Sequence, residues 1–234
     1  MTSSTPSPAC SSPPTRSRAA RCAPPPSRSP SRTRYREDAM TDILLLLAVF
    51  WAAINPPASV ASLPETFEGA DPGGRTRLLV GGWLAAGVLL VVATMMHGQF
   101  LDLLGVAAPS FDIAAGIVML AGAWRPLLRG RAIDESTASL LDTSDRAALI
   151  PLAMPLLASP AALAAAISHG GRVGEGETIV VALVVASLAA LAMGAEPLLQ
   201  WRRRQALAGV LARLTGGFLV FIAVALIVDG VFSV

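Results

Sequence analysis

The chain has 234 residues, of which 53% are hydrophobic and 15% charged, and its formal net charge is +2. Its mean hydropathy of +0.60 is well above that of an ordinary soluble domain, so the composition indicates a membrane protein. The sequence has no lysine, which excludes a phosphate-loop lysine and a lysine Schiff base. The period-two alternation of a membrane β-barrel is absent, so we expect an all-α membrane protein.

Residues 1–39 differ from the rest of the chain. They are rich in serine, proline and arginine, with seven arginines, and they have no apolar run able to form a core or a signal peptide. We expect a disordered tail. Met40-Thr41-Asp42 directly precedes the first apolar segment, which favours Met40 as the true start. Binding of the basic tail to anionic lipid or to nucleic acid is less favoured, and we predict no nucleic-acid partner.

Residues 40–234 are expected to form one transmembrane domain. Six apolar segments of about 19 to 22 residues are long enough to cross a hydrocarbon core roughly 30 Å thick. These predicted spans are Ile43–Leu63, Leu78–Met96, Ser110–Leu128, Ala147–Ser168, Ile179–Gln200 and Leu207–Val228.

The first and fourth spans are interrupted by proline, within residues 54–58 and 158–162. Proline in a spanning helix frees backbone groups that lipid cannot satisfy, so such breaks persist where they face protein or a watery cavity. Three spans per half is an odd number, so the second half must cross the membrane in the opposite sense. The sequence therefore predicts a 3+3 inverted repeat with helices 1 and 4 broken at proline and a solute site between them.

The two breaks offer groups that suit a small polar solute. A helix that begins after each break presents N–H groups and the positive end of its dipole to a carboxylate, and the carbonyls before the break suit an ammonium or a coupling proton or sodium ion. The alternative is that the prolines only kink the helices and Asn55 bonds to a neighbouring helix. The candidate substrate-binding residues are Asn55, Pro56, Pro57, Ala58, Ser59, Ser159, Pro160, Ala161 and Ala162.

Ionisable residues within the spans are few. Asp112 follows Pro109-Ser110, which favours capping of the third helix over the alternative, proton or ion coupling. His97 and His169 have no carboxylate or cysteine at ligand spacing, so we predict no metal site and no cofactor. Both cysteines lie in the tail, and Ser168-His169 lacks a nucleophile elbow, so no catalytic residue is predicted and we expect no enzyme.

Arginines in the loops predict the orientation in the membrane. The loops after spans 1, 3 and 5 contain nine arginines, whereas the loop after span 4 contains one, Arg172. Short loops rich in arginine stay in the cytoplasm, so both ends of the hydrophobic body, including the C-terminus, are predicted to be periplasmic.

Three collinear motifs resemble those of the MarC family of six-span bacterial membrane proteins, which includes a neutral amino-acid transporter group. They are Asn55-Pro56, the segment Leu103–Ile117 and the segment Pro151–Leu163. The resemblance implies a secondary transporter of the inner membrane; the alternative is a membrane protein with an accessory or binding role. Ala58 and Ala161 stand where the family has glycine, which implies a site that is narrower, altered in specificity or inactive. No oligomeric state is predicted.

Overall fold

The computed structural model describes residues 32–62, 72–132, 152–195 and 201–233. The chain divides into two units, Met1–Asp38 and Ala39–Val234, and all residues of the candidate site belong to the second. Every regular element in the described ranges is a helix, which confirms the all-α prediction for this part of the chain. The expectation of a disordered tail falls on residues 1–31, outside the described residues, and on residues 32–39, which are helical.

The described helices are α1 Arg32–Ile54, α2 Pro56–Ala61, α3 Pro72–Met95, α4 His97–Leu104, α5 Ala108–Arg129, α6 Pro160–Gly170, α7 Glu175–Gly194 and α8 Trp201–Ser233. A short π-helical segment, Leu152–Leu157, precedes α6 and is interrupted at Met154, whose backbone is extended (φ −131°, ψ 122°).

Five stretches of the described chain are long and apolar enough to cross a membrane: Met40–Ala61, Gly73–Met95, Ala108–Arg129, Glu175–Gly194 and Ala206–Ser233. They match the first, second, third, fifth and sixth predicted spans. The fourth predicted span includes residues 147–151, which lie outside the described residues. The count of six spans therefore stays a prediction.

Helix α4 was not predicted from the sequence. It lies between α3 and α5, has no buried residue and ends at Gly105, whose positive φ of 62° suits glycine. Leu103 is 83% exposed, and Phe100 packs edge-on against Phe111 of α5. The sequence pattern was ambiguous here because eight residues are too few to span a bilayer.

Small residues allow the long helices to approach closely. Helix α8 runs along α5, and a Cβ at Gly116 would lie only 2.7 Å from the Ala223 carbonyl oxygen. At Gly216 a Cβ would lie 2.9 Å from the Leu127 nitrogen. Helices pack in membranes largely through such close contacts, because lipid is as apolar as the side chains themselves.

The remaining contacts place α2 and α6, the helices that begin at proline, among the long helices. Helix α3 packs on α7, α6 packs on α3 and α5, and α2 packs on α7 and α8. Nine alanines and leucines flank the second break between Leu156 and Ala166; eight of them are at most 8% exposed, and the ninth, Leu163, is partly buried. The two sites of chain interruption therefore lie inside the protein.

Candidate functional site

The chain changes direction at Asn55, between α1 and α2. Asn55 has φ 50° and ψ 65°, and among the described residues it is the non-glycine residue with a positive φ. Asparagine tolerates this left-handed conformation better than most residues. Pro56 and Pro57 occupy the first turn of α2, where their missing N–H groups cost nothing.

Both polar atoms of the Asn55 side chain form hydrogen bonds within the protein. Its Oδ1 accepts a hydrogen bond from the N–H of Ala58 at 3.2 Å, and its Nδ2 donates to the carbonyl oxygen of Ala212 in α8 at 3.3 Å. The N–H of Ser59 donates to the Asn55 carbonyl at 3.1 Å. The first N–H groups of α2, which the sequence analysis assigned to a substrate carboxylate, are therefore satisfied by Asn55.

The second interruption has a similar cap. Ser159 is extended (φ −62°, ψ 151°), Pro160 begins α6, and the Ser159 Oγ accepts a hydrogen bond from the N–H of Ala162 at 3.0 Å. Each interruption thus has a polar cap residue and a proline at the first helical position, and the cap side chain accepts a hydrogen bond from the N–H three residues later.

Hydroxyl groups link the two interruptions to each other. The Ser159 Oγ donates to the carbonyl oxygen of Ala53 in the last turn of α1 at 2.7 Å. The Ser59 Oγ donates to the carbonyl oxygen of Leu156, just before the second interruption, at 3.0 Å. Each carbonyl lies near the point where a helix stops and lacks a regular intrahelical partner, so the serine of the opposite half satisfies it.

A cavity of about 140 Å³ lies between the two interruptions. Four of the nine predicted site residues line it: Asn55, Ser159, Pro160 and Ala161. Ala58, Ser59 and Ala162 are fully buried and belong to the packing behind it. A water needs about 10–15 Å³ of such volume, so the cavity has room for a small solute.

Arg125 also lines this cavity, with Gly122 and Pro126 from the same helix, α5. Arg125 was counted among the loop arginines and was missed as a site residue. One signal was present: the arginine directly precedes Pro126, a proline inside an apolar span. A guanidinium can bind a carboxylate through two parallel hydrogen bonds, which gives the cavity a group of defined chemistry.

Asp112 lies in a different place from the cavity. It is 13 residues before Arg125 on α5, or roughly 20 Å at 1.5 Å per residue. Its buried carboxylate accepts hydrogen bonds from the Ser168 hydroxyl at 2.5 Å and from the Arg172 guanidinium. Arg172 also donates to Asp229 of α8 at 2.8 Å.

The favoured interpretation of Asp112 as a helix cap was wrong. Helix α5 begins at Ala108, its cap residue is Ala107, and no side chain caps it. Asp112 lies beyond the first turn and pairs with Arg172 instead. Burial lowers the pKa of Arg172, but hydrogen bonds to Asp112 and Asp229 outweigh this effect and hold the pKa above its usual value. Arg172 therefore stays charged and joins α5, α8 and the loop after α6.

Ser168 and His169 do not form a nucleophile and base pair. The Ser168 hydroxyl donates to Asp112, and the Nδ1 of His169 lies 3.2 Å from the Ala165 carbonyl oxygen. The described residues contain no group of three histidine, cysteine or acidic side chains able to hold a metal ion.

Comparison with known proteins gives two matches. A family model described as "MarC family integral membrane protein" matches residues 40–234. A "UPF0056 membrane protein" of Archaeoglobus fulgidus is 28% identical over 207 residues, which cover 81% of this chain and 95% of that protein. No solved structure matches the chain. Both descriptions assign a membrane location and name no solute.

Proposed function

Because the chain belongs to the MarC family of integral membrane proteins, we propose that it is a secondary transporter of a small neutral amino acid or a similar polar solute. The observation that carries the proposal is the cavity of about 140 Å³ where Asn55 and Ser159 meet. Its lining offers an amide, a hydroxyl and the Arg125 guanidinium, which suit the carboxylate and ammonium groups of an amino acid. The volume favours a solute with few heavy atoms.

We propose that the two halves form a 3+3 inverted repeat of six spans, with the first span of each half broken at proline. The packing supports it. Helices α3 and α7, the second spans of the two halves, pack on each other, and so do the third spans, α5 and α8. The short helix of each half, α2 or α6, packs on the second and third spans of the other half. Exchange of the halves maps each of these six packed pairs onto a pair of the same set, as a pseudo-two-fold axis requires.

Alternating access fits the position of the cavity, which lies away from the ion pairs of Arg172 with Asp112 and Asp229. The cavity extends from the interruptions toward Arg125 and Ala132, at the C-terminal end of α5. The arginines at this end predict that it faces the cytoplasm. Asp112, Arg172 and Asp229 join the elements at the opposite end. In this proposal the described conformation is closed on the periplasmic side of a bacterial inner membrane, where the C-terminus also lies.

A second candidate is an accessory or binding role in the membrane without transport. Two observations favour it. The side chains of Asn55 and Ser159 already accept hydrogen bonds from backbone N–H groups at the two interruptions. Ala58 and Ala161, where the resemblance implies glycine, are almost completely buried. Neither candidate is enzymatic.

Solute binding tests the proposal on purified protein. A ligand that binds only the folded state at one hundred times its dissociation constant stabilises it by about 2.7 kcal/mol. We expect glycine, alanine or serine to raise the thermal unfolding temperature accordingly. Ala121→Leu should remove this stabilisation, because the exposed Ala121 lines the cavity and leucine would fill it.

Ala114→Leu is the matched control, since Ala114 is also an exposed alanine of α5 and does not line the cavity. It should leave the ligand effect unchanged. Absence of stabilisation by all three amino acids, or equal stabilisation of the Ala121→Leu protein, would contradict the proposed site and favour the accessory role.

A further inference from the structure

A cleft of about 700 Å³ lies between α3 and α7, separate from the cavity at the proline interruptions. The two helices are antiparallel here: Arg75 at the start of α3 donates from Nη2 to the carbonyl oxygen of Met193 at 3.1 Å, near the end of α7. Eight residues further along α3, the indole N–H of Trp83 donates to the Ser187 Oγ at 3.1 Å. These two hydrogen bonds join the walls at the two ends of the cleft.

The Arg75 guanidinium lies at one end of the cleft, and the rest of the lining is mostly apolar. Leu79, Val80, Trp83, Ala190 and Leu191 form most of the walls. Val80 is 51% exposed and Leu191 69% exposed, so the cleft opens sideways toward the lipid. The indole N–H of Trp83 is already bonded, so the ring presents an apolar face.

The dimensions match one leaflet of a bilayer. The eight residues from Arg75 to Trp83 rise about 12 Å along the helix, and half of a hydrocarbon core of roughly 30 Å is about 15 Å. Arg75 is the third residue of the apolar stretch Gly73–Met95, which places its guanidinium at the membrane surface. Arginines of the neighbouring loops predict that this surface is the cytoplasmic one, where anionic lipids are attracted to basic groups.

We propose that this cleft binds an anionic phospholipid of the cytoplasmic leaflet, with the headgroup phosphate at Arg75 and one acyl chain between α3 and α7. Charge complementarity selects the anionic headgroup. The apolar lining over most of a leaflet selects a lipid over a free phosphate, which would use only the arginine. The inference is independent of solute transport, because none of the cleft residues lines the cavity between the interruptions.

Quenching of Trp83 fluorescence tests the proposal directly. The probe is phosphatidylglycerol or phosphatidylcholine with brominated acyl chains, which quench a tryptophan only on contact. The protein keeps Trp83 and carries Trp51→Phe, Trp124→Phe and Trp201→Phe, in vesicles at equal lipid fractions. One arginine at the surface is worth about 1 kcal/mol, so we expect brominated phosphatidylglycerol to quench with about five-fold higher relative affinity.

Three variants separate the cleft from general surface charge. Arg75→Gln should abolish the preference for phosphatidylglycerol, whereas Arg77→Gln, two residues along α3 and outside the lining, should retain it. Gly194→Leu should reduce quenching by both lipids, because a side chain at Gly194 would fill the cleft and its Cβ meets only Leu79, at 3.9 Å. High salt should weaken the preference in the parent protein, which keeps the test valid even where Arg75→Gln does not fold.

Four results would overturn the proposal. They are equal quenching by the two brominated lipids, equal effects of Arg75→Gln and Arg77→Gln, full quenching in Gly194→Leu, and loss of the preference when inorganic phosphate replaces chloride at constant ionic strength. A fall in quenching as protein concentration in the membrane rises would instead identify a second copy of the chain as the occupant.

Discussion

Replacement of Asn55 by alanine is expected to lower the free energy of unfolding by about 3 kcal/mol. The loss of a helix cap costs about 1 kcal/mol, and alanine in the left-handed conformation costs about another 1 kcal/mol. The Ala212 carbonyl also loses the donor that Asn55 provides inside the protein, for about 1 kcal/mol more. Chemical or thermal unfolding of the purified protein in detergent measures the sum.

Asn55→Gly is the matched control. Glycine adopts φ 50° without cost and is a tolerable cap residue, so this variant should lose only about 1 kcal/mol, for the bond to Ala212. Equal losses for the alanine and glycine variants would show that the backbone conformation of Asn55 contributes nothing to stability.

The glycine variant also separates a structural role of Asn55 from solute binding. If the amide contacts the solute, its removal should weaken binding by roughly 1.5–3 kcal/mol, or about ten- to a hundred-fold in affinity, although most of the stability is kept. An unchanged dissociation constant in Asn55→Gly would restrict Asn55 to a structural role.

Removal of the Asp112 carboxylate should cost about 2 kcal/mol of stability. Asp112 is 3% exposed, and its loss leaves Ser168 and the Arg172 guanidinium without their buried acceptor. Loss of one partner of a fully buried ion pair costs about 3–5 kcal/mol; the half-exposed Arg172 reduces this figure. Unfolding of Asp112→Ala measures the loss.

Asp229→Ala provides the comparison, because Asp229 binds the same arginine from an exposed position. It should cost less than about 1 kcal/mol. Comparable losses for the two variants would contradict the difference in burial between the two carboxylates. The alternative role of Asp112 in ion coupling predicts a different outcome for Asp112→Asn, namely a folded protein whose transport no longer responds to an ion gradient.

The starts of α2 and α6 were accessible from the sequence because their cause is local. Proline removes an N–H group and clashes with the preceding turn, so Pro56 and Pro160 locate the helix starts without knowledge of the fold. The same reasoning gave the wrong role for Asp112, because α5 begins at Ala108 and so leaves Asp112 too far along to cap it.

The contacts between the halves were not accessible. Ser159 bonds to Ala53 and Ser59 to Leu156, pairs separated by 106 and 97 residues, and no local pattern specifies such partners. The N–H groups at the starts of α2 and α6 were predicted to be free for a substrate, but the side chains of Asn55 and Ser159 accept their hydrogen bonds. An unpaired buried N–H is costly, so the nearest acceptor binds it. Arg125 was missed because the cavity it lines exists only after α5 packs beside both interruptions.

Flux of labelled solute tests the central claim most directly. Purified protein in proteoliposomes should carry labelled glycine, alanine or serine in a saturable manner, with a rate that depends on a proton or sodium gradient. Ala121→Leu should abolish this flux and Ala114→Leu should retain it, with both proteins folded. Absence of protein-dependent flux for all three amino acids under either gradient, or undiminished flux in Ala121→Leu, would contradict the account.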